Sequence, residues 1–92
     1  MYTTIIIVES ENRDIQSLFN NFLIEWGAEI DQEFENTIQY TLISKYAPDF
    51  TEFEDFVKNL DDPDINVQYV CCDFNSAYIN GTRRYCGCWY ND

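Results

Sequence analysis

The sequence contains no histidine, and only five of its 92 residues are lysine or arginine. Histidine is the commonest general base and the usual proton carrier of a catalytic triad, so its absence removes the most frequent route to catalysis. Glycine is also scarce, and its three positions, Gly27, Gly81 and Gly87, form no glycine-rich phosphate-binding loop. We therefore expect a protein that is not an enzyme and that uses no cofactor.

The shortage of basic residues restricts the partners of this chain. Seventeen acidic residues give a net charge of −12 at pH 7. Because proteins bind nucleic acid by neutralising phosphates with Lys and Arg, we expect no direct nucleic-acid binding, and no binding to anionic membranes for the same reason. A basic protein surface or a metal cation is the natural counterpart. The alternative is that the charge only confers solubility.

Long hydrophobic runs are missing as well. The aliphatic run Ile5-Ile6-Ile7-Val8 is four residues long and has no basic leader, which predicts a buried strand rather than a membrane span or a signal peptide. The expected location is therefore the cytoplasm, the host bacterial cytoplasm if a phage encodes the protein. In that compartment we expect reduced thiols at all four cysteines, Cys71, Cys72, Cys86 and Cys88.

Apolar residues are plentiful enough for a core. They make up 46% of the chain, including seven Phe, seven Tyr and two Trp, and such an aromatic content argues against disorder. Ninety-two residues form one domain, so we expect residues 1–92 to fold as a single acidic domain of modest stability.

The first half of the chain predicts a strand followed by a helix. Residues 2–9 are rich in β-branched side chains and favour a central strand. Ser10, which follows, is a candidate helix N-cap. Gly27 stands where a helix C-terminal cap belongs. Between them lies an apolar stripe at helical spacing, formed by Ile15, Leu18, Phe19, Phe22, Leu23 and Trp26.

The second half predicts extended chain, a helix and a hairpin. Even-numbered apolar residues from Ile30 to Leu42 would share one face of an extended segment. Thr51 and Glu54 have capping-box spacing before a second helical stripe, and Asn80-Gly81 predicts a two-residue turn between strands at 65–74 and 82–90. The order β-α-β-α-β-β predicts an α+β fold, a ferredoxin-like two-layer sandwich in which two helices cover one face of an antiparallel sheet. The stripe of the second helix comprises Phe53, Phe56, Val57 and Leu60.

Three segments resemble a known family. Trp26-Gly27 with Asp31, the stretch from Tyr40-Thr41 to Tyr46-Ala47-Pro48, and the helix and hairpin that follow are similar to the ferredoxin-like domain family of small plasmid and phage proteins with a WGTKW-type segment. The resemblance covers roughly residues 20–90 and departs from the pattern at Glu29-Ile30. It implies a fold and a mobile-element origin, but no activity. By type, the chain also resembles small acidic phage proteins that inhibit CRISPR or restriction systems.

The acidic residues are concentrated. Residues 25–64 carry a net charge of −10, and in extended chain the alternate acids of residues 29–35 would form one row with a spacing of about 6.7 Å. Such a row is similar in spacing to the phosphates of a nucleic-acid strand, which a groove lined with Arg and Lys would bind. The alternative is a solvated edge strand whose charges prevent aggregation. The row comprises Glu29, Asp31, Glu33 and Glu35.

These patterns predict an inhibitor that occludes the nucleic-acid groove of a basic host protein, a CRISPR effector or a restriction nuclease. The alternative is a small interaction or adaptor domain that uses hairpin aromatics and carries its charge for solubility; a homodimer is left open in either case. The predicted partner-binding residues are the row of four acids, Tyr78, and the acids around the second helix, namely Asp49, Glu52, Asp55, Asp61, Asp62 and Asp64.

The cysteines and the acids at 61–64 do not have the spacing of common metal sites. With an Asn80-Gly81 turn, Asp73 would pair with Cys88 and Asn75 with Cys86, which places Cys71 on the same face as both cysteines. Three thiols would suit zinc, but the spacing is not that of a zinc ribbon, and core thiols or a disulfide are the alternatives. The acids at 61–64 lack the spacing and glycine of a calcium-binding EF-hand loop.

Overall fold

The described part of the chain contains two helices and five strands. A computed structural model describes residues 2–46, 48–60, 64–73 and 83–90, with the backbone alone described beyond Cys71. The fold is α+β with an antiparallel sheet, as the sequence predicts. In chain order the elements are β1 (Tyr2–Glu9), α1 (Arg13–Glu25), β2 (Glu29–Phe34), β3 (Thr37–Ser44), α2 (Phe50–Lys58), β4 (Asn66–Asp73) and β5 (Arg83–Tyr90).

The sheet has the strand order β2-β3-β1-β4-β5, and all neighbouring strands are antiparallel. The predicted order β-α-β-α-β-β is wrong, because the segment expected to be one extended strand is the hairpin β2–β3. Its two-residue turn is Glu35-Asn36, and Glu35 has a φ of +52°. A non-glycine residue seldom adopts a positive φ, so the sequence carries no strong turn signal there.

One face of the sheet is buried under both helices. Ile6 at the centre of β1 pairs with Tyr40 of β3 and Tyr69 of β4, and Val8 two residues later pairs with Ile38. Paired residues share a face and side chains alternate along a strand, so these positions line one continuous core. Ile6, Val8, Ile38 and Tyr40 are at most 6% exposed.

Helix α1 begins after Asn12 rather than after the predicted Ser10. The Asn12 Oδ1 accepts hydrogen bonds from the backbone N–H groups of Asp14 (3.0 Å) and Ile15 (3.3 Å). Ser10 lies two residues before this N-cap, and its hydroxyl accepts a hydrogen bond from the Asn12 N–H at 3.1 Å. Gly27 ends the helix with a φ of +95°, a conformation that glycine adopts without strain, so the predicted C-terminal glycine is confirmed.

The predicted apolar stripe of α1 is correct with one exchange. Phe19 and Leu23 are fully buried, whereas Leu18 is 47% exposed. Gln16 is buried instead, because its side-chain amide donates to the carbonyl of Ser10 at 2.7 Å. The same amide lies 3.4 Å from the carbonyl of Asn36, so Gln16 joins the start of α1 to the β2–β3 turn.

Helix α2 is capped by Asp49, whose carboxylate accepts from the Thr51 N–H at 3.0 Å. The predicted capping box at Thr51 and Glu54 is therefore wrong, since Asp49 occupies the N-cap position two residues earlier. The predicted apolar face is confirmed, with Phe53 and Val57 fully buried. A cluster of aromatic rings joins α2 to α1: Phe19 and Phe22 contact Phe53 and Phe56, with ring centroids 4.3 to 6.2 Å apart.

The terminal hairpin has a different register from the predicted one. Asp73 pairs with Arg83 instead of the predicted Cys88, so the predicted register is wrong. The predicted turn at Asn80-Gly81 lies outside the described residues. Cys86 and Cys88 pair with Val70 and Gln68, which alternate with Cys71 along β4. The predicted grouping of Cys71 with Cys86 and Cys88 on one face is therefore wrong. Cys71 itself is a free thiol, fully buried in the core.

Candidate acidic interface

Strand β2 forms one edge of the sheet. It pairs with β3 on one side, and the strand order places no strand on its other side. All six of its residues are exposed, including Ile30 at 41% and Phe34 at 73%. Three of the six, Glu29, Asp31 and Glu33, are acidic. These three acids are therefore exposed to solvent on an edge strand.

A β-bulge at Asp31 divides the acids between the two faces of the sheet. Glu29 pairs with Thr41 before the bulge, and Glu33 pairs with Ile38 after it. Because the bulge inserts one residue, the alternation shifts by one position. Glu29 therefore lies on the open face of the sheet and Glu33 on the face that the helices cover. The predicted single row is wrong, and Glu35 lies beyond the strand in the turn.

Asp31 is held by a neighbouring strand. The side-chain amide of Gln39 on β3 donates a hydrogen bond to the Asp31 carboxylate at 2.8 Å. This contact restricts the carboxylate to the open-face side of the edge. A pre-positioned charge loses less conformational entropy on binding than a free one, so Asp31 is suited to recognition.

On the helix-covered face, the charge of Glu33 affects the pKa of the buried Tyr40. The Tyr40 hydroxyl donates to the Oδ1 of Asn20 on α1 at 2.6 Å. Burial of Tyr40, and to a smaller extent the negative charge of Glu33, together raise the pKa of its hydroxyl from 10.0 to about 12. Both effects disfavour the phenolate. The effect of Glu33 on Tyr40 agrees with the position of Glu33 on the helix-covered face.

We expect the ionisation of Tyr40 to destabilise the domain at alkaline pH. Its pKa is raised from 10.0 in the unfolded chain to about 12 in the fold, so its contribution to stability is complete below pH 10 and is lost as pH rises toward 12. In a spectroscopic titration of tyrosinate, identified by comparison with Tyr40→Phe, Glu33→Gln should lower the Tyr40 pKa. Glu29→Gln is the matched control on the open face. An equal shift in both variants would contradict the bulged register.

The predicted acids around α2 lie on a different part of the molecule. The Tyr69 hydroxyl donates to Glu54 at 2.7 Å, and the Phe50 ring stacks on Tyr69, so α2 packs against β4 rather than β2. Asp49, Glu52 and Asp55 are exposed on this helix or at its start, and Asp64 is exposed before β4. Three predicted partner-binding residues, Asp61, Asp62 and Tyr78, lie outside the described residues.

An acidic cleft at one end of the sheet was not predicted from the sequence. It has a volume of about 810 Å³, and two of its lining residues are joined by a hydrogen bond that the Ser10 N–H donates to the Asn36 carbonyl at 3.0 Å. Glu35 belongs to both the β2–β3 turn and this cleft, so the negative surface continues from the edge around the end of the sheet. The only signal in the sequence is the density of acids near Asn12. Among the described residues, the acids that line the cleft are Glu9, Glu11, Glu35 and Asp64, and no described Lys or Arg lines it.

The ionisable groups of the β2 edge and the cleft are carboxylates. Within the described ranges, no group of three or more Cys, Asp or Glu side chains has the geometry to hold a metal ion. Neither described helix is long and apolar enough to cross a membrane.

Comparison with protein-family models, with curated proteins and with solved structures finds no match. The resemblance to small plasmid and phage proteins therefore stays a prediction.

Proposed function

We propose that the protein is an inhibitor, encoded by a phage or another mobile element, that binds a basic nucleic-acid-binding protein of its bacterial host. The partner is a CRISPR effector or a restriction nuclease, and inhibition consists of occluding its nucleic-acid groove in the cytoplasm. The observation that supports this function is the edge strand β2, which is exposed at every residue and carries three carboxylates.

The bulge changes how this edge would present its charge. Glu29 and Asp31 point to the open-face side, whereas Glu33 lies on the helix-covered side. The edge is therefore a ridge about 13 Å long with negative charge on both flanks, rather than a single row. A ridge of this shape inserts between the two walls of a groove, and Arg or Lys on each wall would form charge-assisted hydrogen bonds with it.

Neighbouring acids would extend the contact. Glu35 connects the ridge to the cleft that Glu9 and Glu11 line. Charges and a bulge on an edge strand also prevent pairing with a second sheet, which is the structural role that such residues have in many proteins. That role needs no partner, so binding is the property to test.

The fold belongs, in this proposal, to the ferredoxin-like class. The first six elements follow the order β-α-β-β-α-β of a split βαβ pair, and the strand order β2-β3-β1-β4 agrees with that arrangement. Strand β5 would be an addition beside β4. This assignment concerns the fold alone and carries no activity.

The test is a pull-down of the tagged protein from bacterial lysate at about 0.05 M and about 0.5 M NaCl, followed by a DNA-cleavage assay of the recovered complex. We expect a nuclease that is retained at low salt, released at high salt, and inhibited by the purified protein. Screening weakens attraction between opposite charges, which explains the expected salt dependence. A salt-resistant partner that is not a nuclease, or no partner at either salt, would refute the proposed function.

A further inference from the structure

A second pocket lies at the other end of β3 from the acidic cleft. Strand β2 begins at Glu29, which pairs with Thr41, so the last three residues of β3 extend past the start of β2. The end of α1 and the start of α2 enclose the space beside them, which has a volume of about 300 Å³. Such a volume is at the lower end of the range for ligand sites and suits a single side chain. The lining includes Trp26, Gly27, Leu42, Pro48, Asp49 and Glu52.

Part of the lining is apolar and held in place by packing. Trp26 is partly buried, and its ring contacts three phenylalanine rings of the two helices, with centroids 5.2 to 6.5 Å apart. Leu42 belongs to the core and is 6% exposed. A Cβ at Gly27 would lie 3.8 Å from the Leu42 Cδ1, so the glycine leaves space on this side of the pocket.

Two carboxylates give the same pocket a negative charge. Asp49 and Glu52 are both exposed, and no described Lys or Arg lines the pocket. The Asp49 carboxylate already accepts a hydrogen bond from the Thr51 N–H, so this donor at the start of α2 is not free to bind an anion. Lys45 lies with its Nζ 5.6 Å from the centroid of the Tyr46 ring and does not line the pocket. The charge of the pocket therefore favours a cation from outside the chain.

We propose that this pocket binds an arginine side chain of a basic protein partner. An apolar wall beside two carboxylates matches a side chain with a hydrocarbon stem and a positively charged end. The planar guanidinium stacks on an indole and forms paired hydrogen bonds with a carboxylate, whereas the ammonium of lysine is compact and more strongly hydrated. In the bound state the stem packs on Leu42 and Pro48. The guanidinium stacks on Trp26 and pairs with Asp49 or Glu52.

Large exposed side chains near the pocket favour an arginine that a protein supplies over a free small cation. Ile43 lines the pocket and is 65% exposed. Ser44, another lining residue, donates a hydrogen bond to the carbonyl of Tyr46 at 2.7 Å, and Tyr46 is 73% exposed. An anchor residue in a pocket, surrounded by contacts that exclude water, is the arrangement of an interface hot spot, in which Trp, Tyr and Arg are enriched.

The test is a two-dimensional NMR titration of the full chain with N-acetyl-arginine N-methylamide at about 0.05 M NaCl, where screening is weak. We expect saturable shifts of the Trp26 indole N–H and the Gly27 amide, with a dissociation constant of about 1–10 mM. The absence of shifts at the pocket would overturn the proposal. No nuclease is needed, so the inference does not rest on the proposed function, and either can fail without the other.

Two matched compounds test the chemistry of the occupant. The citrulline analogue has the shape of the arginine compound without its charge, and we expect it to cause no saturable shift. The lysine analogue keeps the charge without the planar group, and we expect it to bind at least about threefold more weakly. Equal binding of the citrulline analogue would overturn the choice of a cation. Equal binding of the lysine analogue would overturn the choice of arginine.

A matched pair of variants tests the location of the site. Asp49→Asn with Glu52→Gln removes both carboxylates of the pocket, and asparagine is as good an N-cap as aspartate, so α2 should stay capped. Asp14→Asn with Asp55→Asn changes the net charge by the same amount, from −12 to −10, at exposed positions that do not line the pocket. We expect the first variant to raise the dissociation constant of the arginine compound at least about fivefold, and the second to leave it within about twofold. Equal weakening by both would overturn the site.

Discussion

Neutralising the β2 ridge should lower the affinity for the basic partner by about 100-fold. The variant combines Glu29→Gln, Asp31→Asn and Glu33→Gln, which keeps the shape of each side chain and removes its charge. If each carboxylate pairs with a basic side chain of the groove, each loss weakens binding about fivefold, and the three losses multiply to about 100-fold. The fold should be unchanged, because all three side chains are exposed.

The measurement is the dissociation constant for the nuclease recovered by pull-down, determined at low salt together with inhibition of DNA cleavage. A matched control separates a specific ridge from general negative charge: Asp14→Asn, Asn21→Lys and Glu25→Gln also change the net charge from −12 to −9, at exposed positions on α1. We expect the control to weaken binding less than about fivefold through the loss of long-range steering. Equal losses in both triple variants would refute the ridge, although not an electrostatic mode of binding.

Truncating Phe53 should cost about 3–5 kcal/mol of the free energy of unfolding. Phe53 is fully buried and contacts four aromatic rings, those of Phe19, Phe22, Trp26 and Tyr69. It therefore joins both helices to the sheet, and Phe53→Ala leaves a cavity at the point where they meet. A domain of this length has a stability of roughly 5–14 kcal/mol, so the variant should be close to unfolding at room temperature.

Urea denaturation followed by circular dichroism measures this loss as a lower midpoint. The control is Phe34→Ala, which removes the same atoms from a side chain that is 73% exposed. Because its side chain is exposed, this control should change stability by less than about 0.5 kcal/mol. A comparable loss in both variants would contradict the placement of Phe53 at the centre of the aromatic cluster.

Local patterns in the sequence determined the helices and the buried face. The i, i+3, i+4 spacing that contains Phe19 and Leu23 is sufficient to predict α1, and Gly27 is sufficient to predict its end, because both depend on residues within one or two turns. The same reasoning predicts the apolar face of α2 at Phe53 and Val57. The excess of acids was also sufficient to predict exposed charge on residues 29–35, since unpaired carboxylates seldom occupy a core.

Tertiary structure alone decided which residue caps α1 and which of its side chains are buried. Ser10 and Asn12 are both good N-cap residues, and the choice between them depends on the contact of Ser10 with Asn36, which is distant in sequence. Gln16 displaces Leu18 from the core for the same reason, since its amide satisfies backbone carbonyls that only the folded chain brings together.

Strand register was the least predictable property, because it depends on pairing between distant segments and a shift of one residue reverses every side chain. The alternation from Ile30 onward indicates an extended chain but carries no sign of the bulge at Asp31 or of the turn at Glu35. The predicted type of charge at this edge was therefore correct, whereas its division between two faces followed only from the pairing of β2 with β3.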